Sequence, residues 1–153
     1  MRVLGVDFGR RRIGLALSDP SAMLARPWRT IAAGPTPQAS ASQVATIVAD
    51  AVREDEPSEA ISAIVVGLPR RLSGDDTHDT ADARRFAEAL RALARVDVHL
   101  QDERLTSREA ESRLAEREPD WRRRKARIDA AAAAIILQDF LDERARGEAS
   151  GAS

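Results

Sequence analysis

The chain has 153 residues, which suits a single domain with a full hydrophobic core. Apolar residues make up 43% of it, and its 24 basic and 25 acidic side chains nearly cancel. Cysteine is absent, which excludes disulfides, zinc–thiolate sites and a cysteine nucleophile, and which fits the cytoplasm. No apolar run approaches the roughly 20 residues of a membrane span, so we expect no membrane partner.

Hydrophobic periodicity and turn residues predict five strands and four helices in one domain. The predicted strands are Arg2–Asp7, Ile13–Ser18, Trp28–Ile31, Ala60–Gly67 and Val96–Leu100. The predicted helices are one around Val44–Val52, one over Thr77–Ala94, one from Thr106 onward and one over Ile128–Arg144. The order β-β-β-α-β-α-β-α-α indicates an α/β fold with an antiparallel meander followed by parallel crossovers. We expect one domain over residues 1–146 and a disordered tail over 147–153.

Three carboxylates fall at informative places in this pattern. Asp7 ends a strand that has no polar alternation, which predicts burial on both faces and makes an acid costly unless it meets a cation. Glu103 follows the fifth strand, and Asp129 is expected in the first turn of the last helix. Ligands gather at the carboxyl ends of parallel strands, so Asp7 and Glu103 should lie together. Asp129 joins them if the last helix packs across that end.

Three converging carboxylates repel one another, and one or two divalent cations relieve that repulsion. Mg²⁺ suits such an oxygen-only ligand set, Mn²⁺ is an alternative, and two such ions can drive hydrolysis of a phosphodiester. Structural roles stay open for each acid. Asp7 could pair with Arg12, Glu103 could be an ordinary polar residue before a helix, and Asp129 could be a helix N-terminal charge.

Basic clusters are the second feature of the sequence, because arginines beside the acids can bind phosphates. The candidates for substrate binding are Arg10, Arg11, Arg12, Arg70, Arg122 and Arg123. Runs of arginine are more often solvated surface than a binding site, and that alternative stays open for each cluster. Trp121, next to the last cluster, could stack on a base or pack on the body of the domain.

Four motifs, in this order along the chain, resemble the YqgF family, which is also called RuvX. They are DFGRRRIGLALSD at 7–19, VGLP at 66–69 followed by Gly74, DERLTS at 102–107, and Asp129 followed by AAAIILQ at 132–138. Members of the family are described as Holliday junction resolvases and as nucleases for the precursor of 16S ribosomal RNA.

The resemblance implies an RNase H-like fold, with a five-stranded mixed sheet flanked by helices. It implies that Asp7, Glu103 and Asp129 are the catalytic, metal-binding acids and that Arg104 beside them binds phosphate. It also implies a bacterial cytoplasmic nuclease that acts on structured nucleic acid.

The leading hypothesis is a metal-dependent nuclease that processes the 5′ end of precursor 16S ribosomal RNA. A resolvase for branched DNA is the alternative, and it requires a two-fold homodimer, whereas RNA trimming allows a monomer. A catalytically silent RNA-binding factor and a nucleotide-binding module, like one domain of the actin-related ATPases, are the remaining alternatives.

Overall fold

A computed structural model of the chain describes residues 1–54, 60–69, 77–103 and 121–151. These residues form five strands and three helices. The strands are β1 (Arg2–Phe8), β2 (Arg12–Ser18), β3 (Ala25–Ala32), β4 (Ile61–Pro69) and β5 (Asp97–Glu103). The helices are α1 (Pro37–Glu54), α2 (His78–Leu93) and α3 (Trp121–Gly151). The helix predicted from Thr106 lies outside the described residues.

The five strands form one mixed sheet in the order β3-β2-β1-β4-β5. β1 pairs antiparallel with β2, and β2 pairs antiparallel with β3. β4 lies parallel to both β1 and β5. The predicted five-stranded mixed sheet with an antiparallel first part is therefore confirmed.

Helices cover both faces of this sheet. On one face, α1 and α2 pack over a cluster that includes Leu4, Val6, Leu15, Ile64, Val44 and Phe86. On the other face, α3 packs over Val3, Ala16, Ala63 and Val65 through Ala133, Ile136 and Leu137. None of the described helices is long and apolar enough to cross a membrane.

Glycines on three adjacent strands let α3 approach the sheet closely. A Cβ atom on Gly5 of β1 would lie 2.7 Å from the Cβ of Leu137, and one on Gly67 of β4 would lie 2.6 Å from Cδ1 of Ile136. A Cβ on Gly14 of β2 would lie only 1.9 Å from the backbone oxygen of Asp129. These glycines therefore fix the height of α3 above the sheet.

α3 is longer than the sequence pattern predicts. We expect its start at Ile128 and a disordered tail from residue 147, whereas the helix runs over Trp121–Gly151. Arginine and lysine favour helix, and a helix does not need apolar periodicity along its whole length. Gly147 costs only about 1 kcal/mol within a helix, and no proline follows it. Asp129 consequently lies two turns inside the helix, and the domain division at residue 146 stays a prediction.

Replacement of Gly14 by alanine should destabilise the protein by about 1–3 kcal/mol, because the new methyl group collides with the backbone of α3. Urea unfolding followed by circular dichroism measures this effect. Gly147→Ala is the matched control, since a Cβ there meets nothing within 4 Å. It should raise stability by up to about 1 kcal/mol through helix propensity. Equal effects at both positions would contradict the close packing at Gly14.

Candidate active site

The three acids predicted from the sequence lie on one face of the sheet, at the carboxyl end of its parallel strands. Asp7 is the penultimate residue of β1, and Glu103 is the last residue of β5. The next residue after Asp7, Phe8, stacks on Phe86 of α2, with 4.6 Å between ring centroids and 15° between planes. That contact on the opposite face holds the end of β1 and therefore the position of Asp7.

Two glycines give the other acids room to reach Asp7. Gly14 pairs with Asp7 across the β1–β2 ladder, and the backbone of Asp129 lies directly over Gly14. Gly67 lies on β4, between β1 and β5, and a Cβ there would be 2.8 Å from Oε2 of Glu103. The side chain of Glu103, which is 7% exposed, thus leans over β4 towards Asp7.

The other two acids act electrostatically on Asp7. Burial raises the pKa of Asp7 well above the usual carboxyl range, and the charges of Glu103 and Asp129 raise it further. A hydrogen bond between the side chains of Asp7 and Glu103 acts in the same direction, because only protonated Asp7 can donate it. The site therefore favours a proton or another cation at Asp7.

Arg12 partly neutralises this acidic cluster. Its Nε donates a hydrogen bond to Oδ2 of Asp129 at 2.7 Å. The sequence left a pairing of Arg12 with Asp7 open, but the structure pairs Arg12 with Asp129 instead. Both side chains are half-buried, so solvent screens this ion pair only in part.

A cleft of about 440 Å³ opens beside the acids. Described residues that line it include Asp7, Glu103, Asp129, Arg10, Arg11, Arg12, Asp79 and Asp82. Sequence reasoning missed Asp79 and Asp82. Their signal was present, since α2 follows the carboxyl end of β4 and its first turns must lie at the same edge of the sheet.

Thr80 ties the start of α2 to this edge. Thr77 caps the helix, and its side chain accepts a hydrogen bond from the backbone of Thr80. The fully buried hydroxyl of Thr80 in turn donates to the backbone oxygen of Pro69, the last residue of β4. Asp79 and Asp82 are therefore held at the rim of the cleft.

The predicted phosphate-binding arginines have different surroundings. Arg10 is exposed, and its Nε lies 3.2 Å from Oδ2 of Asp82 and 3.9 Å from Oδ1 of Asp79. Arg11 is exposed at the cleft. Arg122 and Arg123 lie in the first turn of α3, where the structure describes the backbone alone. Arg70 and Arg104 lie outside the described residues.

Among the described residues, no three acidic or histidine side chains are arranged closely enough to hold a metal ion as they stand. The contact of Asp129 gives one physical reason, because Asp129 is turned towards Arg12. A metal ion would have to compete with Arg12 for this carboxylate.

The family described as "RuvX: Holliday junction resolvase" matches residues 1–143 of the chain. The chain belongs to the RuvX family. A relative from Roseiflexus sp. (strain RS-1), named "Putative pre-16S rRNA nuclease", is 41% identical over 94% of this chain and 95% of its own. A relative of the same name from Anaeromyxobacter sp. (strain Fw109-5) is 44% identical over 94% of this chain and 98% of its own.

Solved structures similar to this RuvX-family chain support its fold. T. thermophilus RuvC, in complex with a Holliday junction substrate, matches with a TM-score of 0.51 and 17% identity over 94% of this chain and 95% of its own. At this identity the likeness concerns the fold alone. It confirms the RNase H-like architecture implied by the sequence motifs.

Asp7→Asn should raise the free energy of unfolding by about 1 kcal/mol or more at pH 8, because the amide removes a half-buried charge that two neighbouring acids repel. A carboxyl group with a raised pKa binds its proton more tightly in the folded state, so its ionisation lowers stability as pH rises. The gain should therefore shrink at pH 4, where Asp7 carries its proton. Urea unfolding at both pH values measures this gain in stability. Asp97→Asn is the control, because Asp97 is exposed and its replacement should change stability by less than about 0.5 kcal/mol.

Arg12→Ala should lower the free energy of unfolding by about 1 kcal/mol, because it leaves Asp129 facing two other acids without its guanidinium partner. A double-mutant cycle with Asp129→Asn should give a coupling energy of about 0.5–1 kcal/mol that shrinks in 1 M salt. The exposed pair of Arg10 and Asp82 is the control and should couple by less than about 0.5 kcal/mol. Equal coupling in both pairs would contradict the special role of Arg12.

Proposed function

We propose that this chain is a divalent-metal-dependent nuclease with Asp7, Glu103 and Asp129 as its catalytic, metal-binding acids. The observation that carries the proposal is that Asp7, Glu103 and Asp129 line one cleft, where the charges of the other two acids raise the pKa of Asp7. Three separate elements, β1, β5 and α3, bring these acids together at the carboxyl end of the parallel strands. A fold gains nothing in stability from such mutual repulsion, so a functional role explains it best.

The donor set fits Mg²⁺ or Mn²⁺, since it consists of carboxylate oxygens with no sulfur or imidazole among the three acids. One or two ions, when bound, would activate water and stabilise the leaving oxygen of a phosphodiester. Asp7, as the acid with the raised pKa, would gain most from a cation that replaces its proton. Arg12 would then exchange its contact with Asp129 for a substrate phosphate.

The chain's own residues also provide the substrate side of the cleft. Arg11 is exposed there, so its guanidinium can reach a phosphate of the nucleic acid. Asp79 and Asp82 form the opposite rim and bind Arg10. This acidic rim would repel phosphates and direct the backbone towards Arg11 and Arg12. Arg70, Arg104, Arg122 and Arg123 remain candidate phosphate ligands from the sequence.

The names of the relatives favour precursor 16S ribosomal RNA as the substrate. We propose that the chain cuts the 5′ end of this RNA during ribosome maturation in the cytoplasm. The family description favours a four-way DNA junction instead. Resolution of a junction needs two symmetry-related cuts and hence a homodimer, whereas RNA trimming can be done by a monomer. A monomeric active species in sedimentation would therefore contradict junction resolution, independently of the cleavage assay.

Purified protein in Mg²⁺ or Mn²⁺ should cut one of two labelled substrates, the 5′ region of precursor 16S RNA or a four-way DNA junction. Asp7→Asn should lower the rate by at least about 100-fold, because it removes a charge that the cation requires. Asp97→Asn, an exposed acid at the start of β5, should cut like wild type. Mg²⁺ should also raise the melting temperature of wild type more than that of Asp7→Asn.

The outcomes separate the competing functions. Loss of cleavage in Asp7→Asn and in chelator supports the metal nuclease, and the substrate that is cut selects the role. Equal cleavage by wild type and Asp7→Asn contradicts the proposed site. Binding without cleavage by either protein supports a silent RNA-binding factor, and tight binding of ATP supports a nucleotide-binding module.

A further inference from the structure

The outer edge of the sheet carries an aromatic and basic surface away from the acidic cleft. On β3, which pairs with another strand on one side only, Trp28 keeps 36% of its surface exposed. The guanidinium of Arg29 lies 4.0 Å from the centre of the Trp28 ring. Arg26, on the same strand, is exposed. We call Arg26, Trp28 and Arg29 the β3 edge surface.

A β-bulge turns Trp28 out of the regular strand pairing. Leu15 pairs with Arg29 and Ala16 pairs with Pro27, so Trp28 has no direct partner on β2. Bulges commonly redirect a side chain in this way. The stacked guanidinium of Arg29 limits the freedom of the indole ring and so preorganises it for a planar ligand.

The charge around Trp28 is positive. A cavity of about 450 Å³ beside it is lined by Arg2, Arg26 and Trp28, and by one acid, Asp19. The carboxylate of Asp19 already accepts hydrogen bonds from the backbone of Leu24 and Met23 and from the hydroxyl of Ser21. These bonds, the one from Leu24 first, hold the pKa of Asp19 below its usual range. Its oxygens accept hydrogen bonds from their own loop, and Arg26, which is exposed, faces solvent.

An edge strand must be prevented from pairing with another sheet, but this need explains only part of the β3 edge surface. Pro27, the bulge and the arginines would by themselves discourage pairing with another sheet. An exposed indole works against that purpose, because apolar surface on an edge strand promotes association. An aromatic ring flanked by arginines is instead the usual platform for unstacked bases of single-stranded nucleic acid.

We propose that the β3 edge surface binds a single-stranded RNA segment next to the cleavage point, with one base stacked on Trp28 and its phosphates on Arg26 and Arg29. This inference rests on the proposed nuclease function for the identity of the strand. It assigns a second contact on the substrate, outside the acidic cleft. A base in a duplex cannot make the contact, because both of its faces are already stacked.

The sheet register sets the distance between the two contacts. Thr30 of β3 lies level with Gly14 and hence with Asp7. Trp28 is two residues before Thr30, so its backbone is roughly 7 Å along the strand and about 10 Å across two strand spacings from Asp7. At the roughly 3.4 Å rise of a stacked strand, about three to four nucleotides cover this distance. The bound segment should therefore lie within a few nucleotides of the cut.

Fluorescence of Trp28 tests the proposal without any cleavage. The chain has two tryptophans, so Trp121→Phe leaves Trp28 as the sole indole. A single-stranded RNA oligonucleotide of about ten uridines, added in chelator at low salt, should quench this fluorescence. The Trp28 variants need a labelled oligonucleotide, whose fluorescence anisotropy reports binding. Trp28→Ala should weaken that binding by about 5- to 100-fold, and Trp28→Phe should restore most of it. A duplex of the same length should not quench.

Salt dependence tests the arginines separately. Arg26→Ala and Arg29→Ala should each reduce the slope of log affinity against log salt by about 0.7, the value for one phosphate contact on a single strand. Leu93→Ala and Arg95→Ala are the matched controls, since both residues are exposed beyond the other side of the sheet. They should change neither the affinity nor the slope.

The results separate this inference from the nuclease function. Quenching that persists in Asp7→Asn, while cleavage is lost, supports both. Quenching without cleavage by any variant keeps the β3 edge surface as an RNA site and rejects the nuclease. Normal cleavage together with no quenching, or with unchanged binding by Trp28→Ala, overturns the inference and leaves the nuclease intact.

Discussion

The close approach of α3 to the sheet is the constraint on which the rest of the structure depends. Gly5, Gly14 and Gly67 lack the side chains that would hold the helix away, so its backbone lies directly on β1, β2 and β4. The helix buries alanine, isoleucine and leucine on one side of this contact. The same contact carries Asp129 to the edge where β1 and β5 end. The interface between α3 and the sheet therefore both stabilises the fold and positions Asp129 at the candidate active site.

The packing of α3 on the sheet compensates for the electrostatic cost of placing three acids at the cleft. Asp7 is half-buried beside two other acids, and Arg12 pairs with Asp129. Removal of one charge should therefore stabilise the fold and remove the function, which is the usual trade-off at an active site. Two apolar layers hold the elements that carry the acids, so the repulsion cannot be relieved by moving them apart.

The arginines of the cleft and those of the β3 edge surface differ in their partners. Arg10 and Arg12 are engaged by carboxylates at the cleft, and they shape the field there. Arg26 and Arg29 flank an exposed indole on the sheet edge, where no acid of β3 competes with a phosphate. A strand of nucleic acid that follows both surfaces would be held at the cut and beside it. A nearly neutral chain can thus bind a polyanion through the placement of its charges.

The sequence by itself determined the order of the described strands and helices, the mixed sheet and the family, because hydrophobic periodicity, turn residues and motif order are local properties. It also indicated Asp7, Glu103 and Asp129, since residues after parallel strands share an edge. Tertiary structure alone decided the partner of Arg12, the rim formed by Asp79 and Asp82, and the height of α3 over Gly14. These depend on contacts between residues up to 117 positions apart, such as Arg12 and Asp129. No local pattern encodes such a distance, because it arises only when both layers pack on the sheet.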